Sequence, residues 1–298
     1  PGYPELLKAI SAKLKRENNL DYATDQIVVS CGAKHSLANV ILSLVNKGDE
    51  VIVPAPYWVS YIEMVKLAEG VNIVVPTTID NDFKITPDQL KKAITPKTKA
   101  LFLCSPSNPT GSLYSRDELK AIADVIASVN HDIYIISDEI YEHINFVGKH
   151  ESIAQFDFIR DKVIVVNGVS KGYAMTGWRI GYIAAPKWIA KACDKIQGQT
   201  TSGASSISQM ASVAALNSDS SCITEMVAAF KRRRDLVISL VKDIKGLKYN
   251  NPEGAFYLFP KVDYFFGKSD GKTTIKNADE LCLYLLENAH VALVSGSA

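Results

Sequence analysis

The sequence has little of what marks a metal-binding, membrane or nucleic-acid protein. Cysteine is sparse and odd in number: five in 298 residues, at Cys31, Cys104, Cys193, Cys222 and Cys282, with no Cys-x-x-Cys pair. Such spacing gives neither a zinc pattern nor a disulfide framework. The five are read as free thiols in a reducing compartment, the cytoplasm. The five histidines are equally scattered and show no metal-ligand spacing. Charge of one sign is missing too. Lysine plus arginine (33) nearly balance aspartate plus glutamate (32), which gives no support for nucleic acid or an anionic membrane as partner. No apolar run approaches a membrane span, and no signal-peptide pattern opens the chain. The chain begins "PGYPELLKAI", without methionine and already entering a helix pattern, and stops at "HVALVSGSA". The expectation is that material is missing at both ends.

What is present is the composition of a soluble globular protein, 47% apolar and 22% charged. The length suits one large domain and a smaller one. Short β-rich runs alternate with helix patterns: "QIVVS", "EVIVP", "NIVV", "ALFLCS", "IYIISDE", "VIVVNG" and "IGYIAA". Continuous apolar strands between helices predict an α/β fold with a mostly parallel central sheet covered on both faces. After Pro186 the pattern turns helical, and the longest helix is predicted over about Ile223 to Ile244. Beyond it, "GAFYLFP", the helix "ADELCLYLLENA" and the strand "VALV" predict part of a smaller α+β domain. The expected division is residues 1–229 for the large domain and 230–298 for the small one.

In open α/β sheets ligands sit at the carboxyl ends of strands, and the candidate polar groups cluster there. Lys171 follows "VIVVNG". Its ammonium could simply snorkel to water. Beside Arg179 and partly desolvated, it could instead be a neutral nucleophile toward an aldehyde, with Arg179 gripping a phosphate. Asp138 ends a strand that should be buried, where an unpaired carboxylate is costly. Either it makes an ion pair or cap, or it partners a protonated ring nitrogen, with Tyr141 facing the same pocket. Asn108 lies in "SPSNPTG", whose residue types turn formation alone explains, yet its amide could donate to a ligand oxygen. Gly32, Ala33 and Lys34 open a helix whose free N–H groups favour an anion. Trp58 is either core or a platform for an aromatic ligand. Together these groups describe one ligand with a phosphate, a basic ring nitrogen, a ring oxygen and an aldehyde, namely pyridoxal 5′-phosphate. No metal is expected.

"PYWVSY", "SPSNPTG", "SDEIYEH", "NGVSKGYAMTGWRIGY" and "GAFY" occur in one order and spacing over nearly the whole chain. In this the sequence resembles the class I aminotransferases of the type I pyridoxal-phosphate fold, the bacterial aspartate aminotransferases of the prokaryotic subgroup above all. The resemblance implies a ping-pong transfer of an amino group between an amino acid such as aspartate and a 2-oxo acid such as 2-oxoglutarate, in a homodimer. It also implies the roles. Lys171 forms the Schiff base with the cofactor and shuttles the substrate proton. Asp138 keeps the pyridinium nitrogen protonated. Tyr141 and Asn108 bond the ring oxygen, and Trp58 stacks on the ring. Arg179 and the backbone of Gly32, Ala33 and Lys34 hold the phosphate. Lys34 is further associated with an acidic substrate's distal carboxylate, and Trp58 and Asn108 also face the substrate. The sequence departs from the pattern at Gly168, where many relatives carry a phosphate-binding serine; Ser170 is the candidate to compensate. It also stops before the arginine that clamps the substrate's α-carboxylate. Two alternatives share these motifs: another enzyme of the fold, a C–S lyase or synthase, and a non-catalytic ligand-sensing domain.

Overall fold

The computed structural model describes residues 1–297. Helix α1 (Pro4–Asn18) leads into strand β1 (Ile27–Ser30), helix α2 (Ala33–Leu44), β2 (Glu50–Ala55), α3 (Ser60–Leu67) and β3 (Val71–Pro76). Next come α4 (Pro87–Ala93), β4 (Thr98–Cys104), α5 (Arg116–Ala127), β5 (Tyr134–Asp138), β6 (Val163–Gly168) and β7 (Gly181–Ala184). Four helices complete the chain: α6 (Lys187–Thr200), α7 (Ser206–Leu216), α8 (Ser221–Val241) and α9 (Ala278–Ala289). The seven strands form one sheet in the order β1-β7-β6-β5-β4-β2-β3. All pairs are parallel except those of β7, which runs antiparallel to both β1 and β6.

The sheet is buried on both faces because its strands are apolar at successive positions. Leu101 and Ile135 face one core with Leu6, Ile10 and Leu14 of α1 and Leu119 and Ile122 of α5. Their chain neighbours Phe102 and Ile136 face the other, with Leu37 and Ile41 of α2 and Tyr61 and Val65 of α3. Period-2 side-chain alternation thus feeds two helical layers, and each fully buried aliphatic side chain stabilises by roughly 1.5–3 kcal/mol. Helix starts are signalled locally. Ser115 and Glu118 form a reciprocal cap at α5, with Ser115 N–H donating to Glu118 at 2.7 Å and Glu118 N–H to Ser115 Oγ at 3.3 Å. Thr86 and Gln89 do the same at α4.

The expected strand in "VALV" is absent, and "GAFYLFP" forms none either. Residues 254–260 and 291–294 carry no strand; Gly254 makes one isolated bridge to Asn145, and Lys261 just beyond makes another to Lys248. Ala255 adopts φ +56°, a left-handed turn incompatible with an extended run. Among the described residues the part beyond α8 is helix and irregular chain. Helix α8 itself runs unbroken through residues 229 and 230. No helix among the described residues is long and apolar enough to cross a membrane, and all five cysteines are free thiols.

Candidate active site

The carboxyl ends of β4, β5 and β6 lie side by side, with Cys104 opposite Asp138 and Asp138 opposite Val166 in register. The chain leaving β5, "DEIYEH", turns tightly: Glu142 N–H donates to Glu139 O at 2.9 Å and Ile144 N–H to Tyr141 O at 2.8 Å. The turn sorts its polar side chains into two sets. Glu139 accepts from Ser137 (2.9 Å), Ser152 (2.7 Å) and the His150 ring (3.0 Å). Glu142 pairs with the fully buried ammonium of Lys13 from α1 and accepts from Asn18 and Asn167 at 2.8 Å each. Burial pushes the Glu142 carboxyl upward, but the Lys13 charge and its donors hold it well below the usual carboxylate range. These rear bonds anchor the turn to α1 and β6 and leave Asp138 and Tyr141 for the front.

Asp138 is 3% exposed and has no cation in bonding contact among the described residues. Its Oδ2 accepts from the Tyr61 hydroxyl at 2.7 Å and its Oδ1 from Ile140 N–H at 3.3 Å. Burial raises its pKa from 3.8 to about 6, against the pull of these two donors. Tyr61 is buried and stacks on Phe102, with centroids 4.3 Å apart. Trp58 meets it edge-on at 5.5 Å, and the Lys34 ammonium lies 4.9 Å from the centre of the Trp58 ring. Asn108 lines one crevice with Tyr57, Tyr61 and Cys104, which brings it to the edge of the Asp138 position.

Lys171 is half-buried in the turns between β6 and β7. Its Nζ is 5.6 Å from the centre of the Tyr141 ring and 5.5 Å from that of Phe256. Burial and then the Arg179 charge lower its pKa, opposed by Asp138. Arg179 sits at φ +57°. Its guanidinium donates to Thr176 O at 3.0 Å and Cys31 O at 3.5 Å, which holds it at the start of α2. There Gly32, at φ +87°, caps the helix, and its carbonyl accepts from His35 and Ser36 N–H. The N–H groups of Ala33 and Lys34 head the helix with no intrahelical acceptor. A Cβ on Gly32 would run into the Arg179 guanidinium, and one on Gly181 into the Ala33 backbone. Only glycines let the Lys171–Arg179 turns, β7 and α2 close on one another this tightly.

Contacts run from the expected Lys34 and Trp58 through Tyr61 to Asp138 and hold Arg179 at Gly32, while Lys171 feels the charges of both Arg179 and Asp138. Tyr141 lies beside Lys171, and Asn108 shares a crevice with Tyr61. Ser170 is buried beside Lys171, but among the described residues no hydrogen bond joins its hydroxyl to these residues. Two members of the site were not singled out in the sequence. Tyr61 stands in the quoted "PYWVSY", and a hydroxyl three residues after Trp58 is the one signal for it. Tyr257 stands in "GAFY", and its hydroxyl is 2.5 Å from that of Tyr141.

A family model described as aminotransferase class I and II matches residues 1–298. The chain belongs to the class I and II aminotransferases. The family works with pyridoxal 5′-phosphate, the cofactor expected from the residues. The chain is 49% identical to the bifunctional aspartate aminotransferase and glutamate/aspartate-prephenate aminotransferase of Petunia hybrida, covering all of this chain and 63% of that protein. It is 48% identical to a probable aspartate/prephenate aminotransferase of Rickettsia bellii, covering all of this chain and 75% of that one. The fold superposes on the crystal structure of the aspartate aminotransferase from Rhizobium meliloti with a TM-score of 0.96 at 43% identity, over 99% of this chain and 74% of that one. The aminotransferase fold of this chain thus carries the residues described above at the carboxyl ends of its parallel strands.

Proposed function

We propose that this chain carries the cofactor site of an aspartate-type aminotransferase, which moves an amino group between an acidic amino acid and a 2-oxo acid in two half-reactions. The observation that carries this reading is a half-buried Lys171, its pKa lowered by burial and then by Arg179, set in one site with a buried Asp138 whose carboxylate lacks a bonded cation.

The residues fit pyridoxal 5′-phosphate. Arg179 and the N–H groups of Gly32, Ala33 and Lys34 offer an anion seat at a helix N-terminus, and Gly32 leaves the room that a Cβ would fill. Asp138 would hold a protonated ring nitrogen, which would remove its own desolvation cost. Tyr141 and Asn108 would bond the ring oxygen, and Trp58 would cover the ring face. Ser170 is a further candidate contact. When bound, the cofactor supplies an electron sink for charge developing at the substrate's α-carbon. The protein's part is binding, orientation and proton movement. The lowered pKa of Lys171 leaves a larger neutral fraction to act as nucleophile and then as the base that moves a proton at that carbon. Lys34, exposed over Trp58, suits the distal carboxylate of an acidic substrate.

The Petunia and Rickettsia relatives, named for aspartate and prephenate, support this substrate class. The division into a cofactor domain (residues 1–229) and a smaller part (230–298) belongs to the same reading. So does a cytoplasmic homodimer, supported by the free thiols and by the exposed Trp178 (48%) and Ile207 (80%). The test is oxo-acid-dependent transfer from aspartate, assayed alongside release of ammonia and pyruvate from an S-substituted cysteine. Amino transfer that vanishes without 2-oxo acid supports the reading; ammonia and pyruvate without it point to a lyase.

A further inference from the structure

We infer that Tyr257 is a positioning residue of the cofactor site, its hydroxyl donating to the Tyr141 oxygen so that the Tyr141 proton is left free for the ring oxygen. This rests on the reading that Tyr141 serves that oxygen.

The two hydroxyls are 2.5 Å apart, at the short end of O–H···O bonds. The rings meet edge-on, with centroids 5.7 Å apart at 77°. Each hydroxyl owns one proton and accepts through two lone pairs. One proton lies between the oxygens, so only one is spare. If Tyr141 donates to Tyr257, its own proton is consumed and it can only accept from a ligand. If Tyr257 donates, Tyr141 can donate into the site. An anionic oxygen beside Tyr141 selects the second arrangement, because only a donor stabilises it.

The segment that carries Tyr257 is built to hold this geometry. Glu253 and Gly254 N–H both donate to Gly111 O at 2.9 Å, which ties it to the turn that bears Asn108. Ala255 N–H donates to Ile144 O and Phe146 N–H to Glu253 O, at 2.8 Å each, which ties it to the turn that bears Tyr141. Gly254 passes so close that a Cβ would meet Ile144 O and the side chains of Leu113 and Pro106. Ala255 is fully buried and held at φ +56°, a conformation alanine keeps only where its surroundings over-determine it. The strap therefore fixes Tyr257 relative to both loops. Titratable groups that face Tyr141 are Tyr257, Cys104, Asp138 and Lys171. Burial raises the Tyr141 pKa, so its hydroxyl stays protonated across the physiological range.

The test is a pH titration of the absorbance of the lysine-bound cofactor in the loaded protein, for Tyr257→Phe, Tyr141→Phe and the double variant. A donor to the ring oxygen favours the deprotonated form of the chromophore, in which that oxygen is most negative. Tyr141→Phe is therefore expected to raise the chromophore pKa. Tyr257→Phe is expected to raise it by about half a pH unit, about threefold in the ionisation constant, and the double variant to match Tyr141→Phe alone. Tyr257→Leu, which removes the ring as well, is expected to lower the unfolding temperature yet move the pKa no further than Tyr257→Phe. An unmoved pKa in Tyr257→Phe, or fully additive shifts in the double variant, overturns the inference while the Tyr141 reading stands. An unmoved pKa in Tyr141→Phe overturns that reading and the inference with it.

Discussion

Asp138 should make the cofactor-free protein less stable as pH rises through the weakly acidic range. Its carboxyl titrates near 6 in the fold and at 3.8 when exposed to water, so the native state holds a proton that the unfolded chain has already lost. Stability is then highest below about pH 4 in this one component, falls as pH rises through 6, and stays reduced above. The full difference is about 3 kcal/mol, at 1.36 kcal/mol per pH unit. Two other groups titrate by their own rules. Glu142, held well below the usual range, stabilises above its unfolded pKa of 4.5 and loses that contribution only as pH falls. His150 is raised, because Glu139 outweighs the burial that pushes it down, and its stabilisation is lost as pH rises through its folded pKa. Both cancel in a difference between parent and Asp138→Asn. Urea titrations of cofactor-free protein at steps from about pH 4 to 8 supply that difference. The variant is expected to gain on the parent by about 3 kcal/mol across the window. Tyr61→Phe, which removes the 2.7 Å donor, is expected to move the parent's window to higher pH. Parallel curves for parent and Asp138→Asn would refute the claim that Asp138 is ionised at a cost. The cost is relieved when a cation occupies the site, which is the reason a functional fold retains it.

Two further outcomes follow from the same geometry. Gly32→Ala places a methyl against the Arg179 guanidinium and is expected to weaken cofactor retention on dialysis by about tenfold or more; Gly48→Ala, at a similar φ of +82° but in open space, is the control that carries only the backbone strain. Lys13→Met leaves Glu142 buried with its amide donors but without its lysine partner, and is expected to cost roughly 3–5 kcal/mol in urea unfolding at pH 7. A loss under 1 kcal/mol would show that Asn18 and Asn167 suffice to hold that carboxylate.

The chain's own residues determined much of this protein. Seven strands were legible because each is a short apolar run ended by turn chemistry, and continuous burial of such runs requires helices on both faces. Ser115 and Thr86 start their helices with reciprocal caps, which are decided within four residues. Lys171, Asp138 and Arg179 were legible only as a set with Asn108, Tyr141 and Trp58, because each alone has an ordinary structural explanation. The tertiary structure decided what depends on distant partners. Lys13 looks like Lys8 or Lys15 in an amphipathic helix, and only the approach of Glu142, far along the chain, makes it the buried one. Nothing local in residues 254–260 marks a turn at Ala255; straps to Gly111 and Ile144 hold it in the left-handed region. The hydroxyls of Tyr61 and Tyr257 gain their meaning from Asp138 and Tyr141. A hydrogen bond between residues far apart in sequence leaves no local periodicity, so only the folded chain reveals it.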